Sequence, residues 1–486
     1  MRLELVGPTD VWQVIDEELA ACGWSVMTDQ AARWTEFWYD TPGFALLRWG
    51  ATLVRVNDDD WRLHVPARAG ARARDVTVTE DVTTPPSCIA DVVRPLVRGW
   101  AVQRLLTTEL TCRRVGLGHG DGEHLVTLSR EERSVLDGPG VGRTLTSWAI
   151  EGDGQEAWQA LEKILRKRGA RRSAPAAVRV LGSAARGPAD VVIAPLGRSA
   201  SAASVLGVAL ARDIEELLFR LAGIPLDEDP EDVHRARVVT RRMRGVFQTF
   251  GKLFRPETTT VLVEDLAWLA DQLGPVRDAD VMLERLEETS AMLSEDNRPA
   301  ADGTVKLLGE QRRRCWDELL SAIRMPRCVR LLDSLVALVS EGLPLMVPAK
   351  KPAPPVLSRY TRQRWRRLQR QIKRMPANPT EQDLHRSRIA AKRVRHACET
   401  VALVVGKPAR RLAEKVAALQ DALGAHQDAA VLRDWLRQVA REHPDLALAA
   451  SELAGVESAR IEATAAVWRE IWDAMDRKRY WRWMCG

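Results

Sequence analysis

The sequence predicts a chain in two parts: an α+β region over residues 1–182, then an all-α region from residue 202 onward. Three observations carry this. Short runs in the first third alternate apolar and polar residues, the period of strands. From Ala202 the apolar spacing is helical nearly throughout. One basic, amphipathic pattern then occurs twice, about 150 residues apart, the signature of an internal duplication.

Length and composition bound the rest. At 486 residues the chain exceeds a single hydrophobic core, and two or three domains are expected. With 45% hydrophobic and 28% charged residues the composition is that of a soluble protein. The net charge of +6 is modest, so its local clustering matters more than its total. Seven cysteines without a CxxC pair point to reduced thiols in a cytoplasm and away from a disulfide scaffold or zinc ribbon. Met1 to Gly23 lacks a basic start followed by an apolar core, so no signal peptide is expected. The longest uncharged apolar run, Ser199 to Ala211, is too short to span a bilayer, and no membrane partner is expected.

In chain order, Val11 to Cys22 and Gln155 to Arg168 have helical spacing. Ala51–Val56, Trp61–Val65, Val76–Thr79 and Leu125–Leu128 read as strands. Residues 183–201, with Gly187-Pro188 and Pro195, read as a linker. Residues 202–341 form a first helical unit. The stretch 342–358, with five prolines and Lys350-Lys351, bridges to a second unit over 359–486. Each unit is expected to bury its own apolar stripe.

The repeated pattern organises the helical part. Glu231 to Phe254 reads EDVHRARVVTRRMRGVFQTFGKLF. At helical spacing His234, Arg237, Arg241 and Arg244 share one stripe, opposite Met243, Val246, Phe247 and Phe250. A solvated helix mixes charges at i,i+4, so a face carrying cations alone points to an anionic partner. His385 follows His234 by 151 residues (385 less 234), and at that offset Arg237 matches Arg388, Arg241 matches Lys392, Arg242 matches Arg393 and Arg244 matches Arg395. A second pair of segments starts at Leu269 and Leu419 and aligns Gly274 with Gly424 and Asp278 with Asp428. The aspartates read as helix N-caps after glycine breaks, with the holding of an arginine as the alternative. The second unit opens on RYTRQRWRRLQRQIKR, Arg359 to Arg374, with eight Arg or Lys and no acid; Arg362 and Arg366 are its candidate ligand contacts.

A duplicated helical region with H-x-x-R-x-x-x-[RK]-R-x-R in each half resembles the CHAD family, the conserved-histidine α-helical domain. The resemblance covers roughly Ser199 to Gly486 and implies two four-helix bundles related by pseudo-twofold symmetry, with a basic cavity between them that binds inorganic polyphosphate. By it His234, Arg237, Arg241, Arg242, Arg244, His385, Arg388, Lys392, Arg393 and Arg395, with Arg362 and Arg366, contact the polyanion. Polyphosphate granules follow as the cellular form of that partner, and the cytoplasm as its location.

The first third is similar to CYTH proteins, the triphosphate tunnel metalloenzymes, through WYDTPGFALLRWGATLVRV from Trp38 to Val56 and WRLHVP from Trp61 to Pro66. This implies an antiparallel eight-stranded β-tunnel over residues 1–182. The family's catalytic pattern departs here. Arg2, Glu4 and Val6 stand at the E-x-E-x-K positions, Val54 and Val56 replace paired inward cations, and His64 stands for a lysine. Arg55 is one residue out of phase and belongs to the other face. Ser173 in RRSAPAA lacks a following lysine, and Glu131 and Glu132 leave their register open. Phosphoryl chemistry with a divalent metal needs several carboxylates and several cations together. The expected state is a fold without catalysis, with no cofactor and no metal site.

Three functions are thus weighed: a non-catalytic polyphosphate binder, a metal-dependent triphosphatase in the first domain, and a nucleic-acid binder. The first is favoured. The second lacks its carboxylates, and the third lacks any base-reading motif. The alternation of arginine with Tyr480, Trp481 and Trp483 near the C-terminus reads as a last helix laying aromatics on the bundle.

Overall fold

A computed structural model describes residues 2–6, 24–119, 124–138, 141–152, 155–172, 179–180, 187, 189–197, 199–226, 229–291, 293, 298–376, 378–464 and 467–485. The helix expected over Val11 to Cys22 and the candidate Ser173 lie outside these residues. The chain divides into two compact units, Met1–Arg68 with Arg72–Asp190, and Val191–Gly486 with Ala69–Ala71.

Among the described residues the first unit holds a nine-stranded antiparallel sheet, the ninth strand only two residues long, where the family resemblance implies eight strands. The strands are β1 Arg2–Val6, β2 Trp24–Asp40, β3 Thr52–Val56, β4 Asp60–Val65, β5 Arg74–Thr79, β6 Gln103–His119, β7 His124–Asp137, β8 Thr144–Gly152 and the two-residue β9 Arg171–Arg172. Their order is β5-β4-β3-β2-β6-β7-β8-β1-β9. Among the described residues three helices accompany the sheet: α1 Ala45–Arg48, α2 Ser87–Val97 and α3 Gln155–Lys167. Helix α3 buries Trp158, Leu161 and Leu165 against Leu117, Leu128, Trp148 and Ile150.

Period-2 alternation puts Glu36, Glu131 and Arg133 on a buried face of the sheet. Arg133 Nε donates to Glu36 Oε2 at 3.0 Å, and its Nη1 donates to Glu131 Oε2 at 2.7 Å. Thr108 Oγ1 donates to Glu36 and accepts from Trp38 Nε1. The register of SREERS is thereby fixed, with Glu131 inward and Glu132 paired to Arg130. Val56 and Val54 stand opposite Glu36 and Trp38. Arg55 is on the other face, over the rings of Phe37 and Trp61 at 4.8 and 5.9 Å. His64 is exposed, with Nδ1 2.8 Å from Asp75 Oδ1. Glu4 lies on β1 opposite Ala149, and its side chain lies outside the described ones.

The second unit is all-helical. Its first repeat holds α4 Ala202–Gly223, α5 Pro230–Phe250, α6 Pro256–Ser290, α7 Arg298–Arg324 and α8 Pro326–Ser340. The second holds α9 Ala353–Lys373, α10 Glu381–Val405, α11 Lys407–Glu442, α12 Ala447–Thr464, α13 Val467–Met475 and α14 Lys478–Trp481. Helix starts repeat at the sequence offset: 202 and 353, 230 and 381, 256 and 407 all differ by 151. The proline-rich bridge is shorter than expected, because Pro354 and Pro355 belong to the first turn of α9, where a missing N–H costs nothing.

One expectation needs correction. The repeats do not each bury a stripe of their own along their full length. The outer halves of the long helices share one core, in which Met282, Leu286 and Leu308 of the first repeat pack with Leu432, Leu436 and Leu453 of the second. Glu457 of α12 is fully buried there, accepting from Arg285 Nε at 2.7 Å, Arg460 Nη1 at 2.8 Å and Thr289 Oγ1 at 3.2 Å. At the C-terminal end Tyr480, Trp481 and Trp483 pack partly buried against the second-repeat core.

Candidate anion-binding site

Helices α5 and α10 begin alike. Asp229 caps α5 by accepting from Glu231 N, and Pro230 occupies the first turn. Thr380 and Asp383 close a capping box on α10. Both starts place a histidine at the fifth helical residue, and the cationic stripe follows at i+3 and i+7.

The stripes converge on one cavity of about 490 Å³. Helix α5 supplies His234, Arg237 and Arg241, and α10 supplies His385, Arg388, Lys392 and Arg395. Seven of the twelve residues expected from the sequence are thus brought together. The long helices α6 and α11 add Arg277, Asp278, Gln420, Asp421, Gln427 and Asp428. Six Arg or Lys side chains face three aspartates in the lining, so the cavity is net cationic before any histidine charges.

Asp278 and Asp428 are not N-caps. Helix α6 runs unbroken through Gly274 and Pro275, and α11 through Gly424. Each aspartate holds an arginine of the stripe. Arg237 Nη1 donates to Asp278 Oδ1 at 2.6 Å, and Arg388 Nη1 lies 3.5 Å from Asp428 Oδ1. The glycines explain the spacing. Four residues before each aspartate, on the same helix face, they leave room for the guanidinium. A Cβ on Gly274 would sit 3.8 Å from Arg237 Nη2, and one on Gly424 3.2 Å from Arg388 Nη2.

Crowding of like charge leaves its mark on ionisation. Burial, then Arg237 and Arg388, lowers Arg241 to about 10. Burial, then Arg388, Arg241 and Arg237, lowers Lys392 to about 7, against a smaller opposing pull from Asp428. His234 is lowered by burial and by Arg277. Unneutralised cations held together this closely cost folding free energy, which an anion would recover.

Five expected residues are placed elsewhere. Arg242 is turned away from the cavity, 2.6 Å from Asp213 Oδ1 of α4 and 3.7 Å from Glu399 of α10. Burial opposes its charge, but Asp213 and Glu399 outweigh it and hold its pKa above the usual value. Its copy Arg393, next to Lys392 in sequence but a helical step off its stripe, lies off the cavity; Arg244 does not line it either, although its copy Arg395 does. Arg362 and Arg366 line no described cavity, and Arg366 is exposed. Two lining residues were available to sequence reasoning and missed. His396 is at i+4 from Lys392, and Arg277 precedes Asp278 in the second repeated segment.

Residues 208–437, which span this cavity and both cationic helices, match the CHAD domain family. This stretch is a CHAD domain. Over 439 residues the chain is 27% identical to the uncharacterized protein Rv2226 of Mycobacterium tuberculosis, covering 83% of this chain and 81% of that one. Among solved structures, the CHAD domain of the plant Ricinus communis aligns at 24% identity over 61% of this chain and 97% of its own, with a TM-score of 0.49. PptA from Streptomyces chartreusis aligns at 21% identity over 56% of this chain and all of its own, with a TM-score of 0.48. HpAC1 from Hippeastrum, described with a dominant triphosphatase activity, aligns at 14% identity over 37% of this chain and 93% of its own, with a TM-score of 0.26. At these scores the overlays add nothing to the fold described above. Among the described residues no helix is long and apolar enough to cross a membrane.

Proposed function

We propose that the CHAD domain binds inorganic polyphosphate in the cavity between α5 and α10 and carries out no reaction on it. The supporting observation is the convergence of two duplicated cationic stripes on one cavity, with Arg237 and Arg388 pre-positioned by aspartates and Arg241 and Lys392 left without a carboxylate partner among the described residues. A chain of identical charges can engage both stripes at once, so the second contact is made at high effective concentration. Guanidinium forks match the oxygens geometrically. No base-reading motif accompanies the basic helices, which favours a condensed phosphate over a nucleic acid.

Titration with size-graded polyphosphate, RNA and DNA at matched salt tests this. Expected is preferential, steeply salt-dependent binding of long polyphosphate. Equal affinity for RNA and polyphosphate of the same charge would overturn the assignment of the ligand.

The first unit is proposed to be non-catalytic. Glu36 and Glu131 are both engaged by Arg133, whose pKa rises above the ordinary arginine value because the two carboxylates outweigh its burial. Among the described residues no group of three His, Cys, Asp or Glu is placed to hold a metal ion. The protein should release no orthophosphate from triphosphate with magnesium or manganese. Metal-dependent turnover abolished by Glu36→Gln or Glu4→Gln would refute this.

A further inference from the structure

The two repeats are not electrostatic copies of each other. In the first, Asp213 and Glu216 of α4 face Arg242 of α5, at 2.6 and 4.0 Å. Glu216 also holds Arg235 at 2.7 Å. At the offset of 151 the matching residues of α9 are Arg364 and Arg367, and the match of Arg242 is Arg393. Where the first repeat has carboxylates against arginine, the second has arginines against arginine.

Nothing described neutralises them. Among the described residues none of Arg244, Arg364, Arg367 and Arg393 has a carboxylate partner. Arg364 donates to the backbone oxygen of Gln248, which ties this face of α9 to α5 beside Arg244. Burial, then Arg367 and Arg393, lowers Arg364; burial, then Arg367 and Arg244, lowers Arg393. The four guanidinium groups therefore share one field. Arg244 and Arg364 are half-buried and Arg367 and Arg393 exposed. Like charges gathered beside partly buried ones are unfavourable, and the first repeat shows that the same helix pair accepts carboxylates at these positions.

The cluster is also continuous with its surroundings. Arg244 acts on Arg241 at the wall of the central cavity. Arg367 lines a separate hollow of about 430 Å³ with Arg370, Arg374 and Arg386, where Asp383 is the acid present and is already bonded to Thr380.

We propose that Arg244, Arg364, Arg367 and Arg393 form a second phosphate-binding subsite, through which a condensed phosphate chain too long for the central cavity leaves toward Arg370, Arg374 and Arg386. The exit is one-sided, because the matching place in the first repeat is filled by its own ion pairs. This rests on the reading of the central cavity given above.

The test transplants the first-repeat acids. In Arg364→Asp with Arg367→Glu, Arg393 gains copies of Asp213 and Glu216, the α4 partners of Arg242, so the fold is supported. Tripolyphosphate and long-chain polyphosphate are each titrated at three salt concentrations. Expected is unchanged tripolyphosphate affinity, a loss of roughly tenfold or more for the long chain, and a salt slope smaller by about two. Arg367→Ala, which introduces no new charge, should give a smaller loss in the same direction. Equal losses for short and long ligand, or no loss for either, would overturn the subsite. Arg388→Ala with Lys392→Ala reports on the central cavity separately and should weaken both ligands. If the wild-type protein binds neither ligand, the central reading fails and the subsite falls with it; if wild type and charge-transplanted variant bind the long chain equally, the subsite alone is lost.

Discussion

Lys392 is a lining residue whose protonation its surroundings bring into the physiological range. Its copy in the first repeat, Arg241, stays charged throughout the physiological range, but Lys392 at about 7 does not. The cause is burial first, then Arg388, Arg241 and Arg237, against Asp428. The sign follows from linkage. Between about 7 and the ordinary value of 10.5 the unfolded chain holds a proton on this lysine that the folded chain lacks, so the stability of the free protein rises with pH across that window. Lys392→Met should abolish the rise, read as urea midpoints at pH 6 and pH 9. Binding of a polyanion restores the proton, so affinity should fall as pH is raised above about 7. Lys392→Arg should flatten that dependence; a parallel decline in the variant would assign it to another group. His234, lowered by burial and Arg277, contributes in the same direction at lower pH, so His234→Ala should cost less affinity at pH 8 than at pH 6.

At the scale of helices, the working unit is an arginine on one helix lying over a glycine of the next and held by an aspartate one turn further on. The two copies differ in tightness, which separates stability from binding. Alanine is better than glycine inside a helix by roughly 0.5–1 kcal/mol. At Gly274 the added Cβ meets Arg237 at an ordinary contact distance of 3.8 Å, so Gly274→Ala should stabilise without loss of polyphosphate affinity. At Gly424 it would press Arg388 at 3.2–3.5 Å and displace the guanidinium, so Gly424→Ala should keep its stability and bind more weakly. Paired melts and titrations decide, and equal affinities for the two variants would remove the role given to the glycines. The same unit shows what the sequence could and could not reveal. The repeat made both histidine helices and their lining stripes legible, because helical period and duplication agreed. The aspartates were misread because glycine in isolation signals a break, whereas here packing across the helix carries the chain through it. Within the run from Arg359 to Arg374 the sequence does not separate Arg362 and Arg366 from Arg364 and Arg367, because a run of cations has no phase until the rotation of its helix is known. In the first unit β3, β4, most of β5 and the start of β7 were legible, while the seventeen-residue β2 and β6 and the nine-residue β8 were not: in β2 and β6 polar stretches break the alternation that defines a strand in sequence.

At the scale of the whole helical unit, the shared outer core makes the repeats interdependent. Glu457 is the test point, since it is fully buried and its charge is balanced by Arg285 and Arg460 from either repeat. Removing one partner of such a group leaves the others uncompensated and costs about 3–5 kcal/mol. Glu457→Ala should lower stability by that amount in chemical denaturation, with both repeats unfolding in one transition. Survival of one repeat while the other melts would contradict the common core. Closer to the centre, Gly245 of α5 faces His396 of α10, so that a Cβ on the glycine would come within 3.0 Å of the imidazole. These two positions are copies of each other, 151 residues apart, and they meet face to face. In a dimer of identical chains such a position could only meet itself: two glycines would leave a hole, and two histidines would collide. Joining both copies in one polypeptide lifts that restriction, letting a bulky ring on one side fill the notch on the other, and letting one half keep its ion pairs while the other leaves its arginines open to an incoming chain.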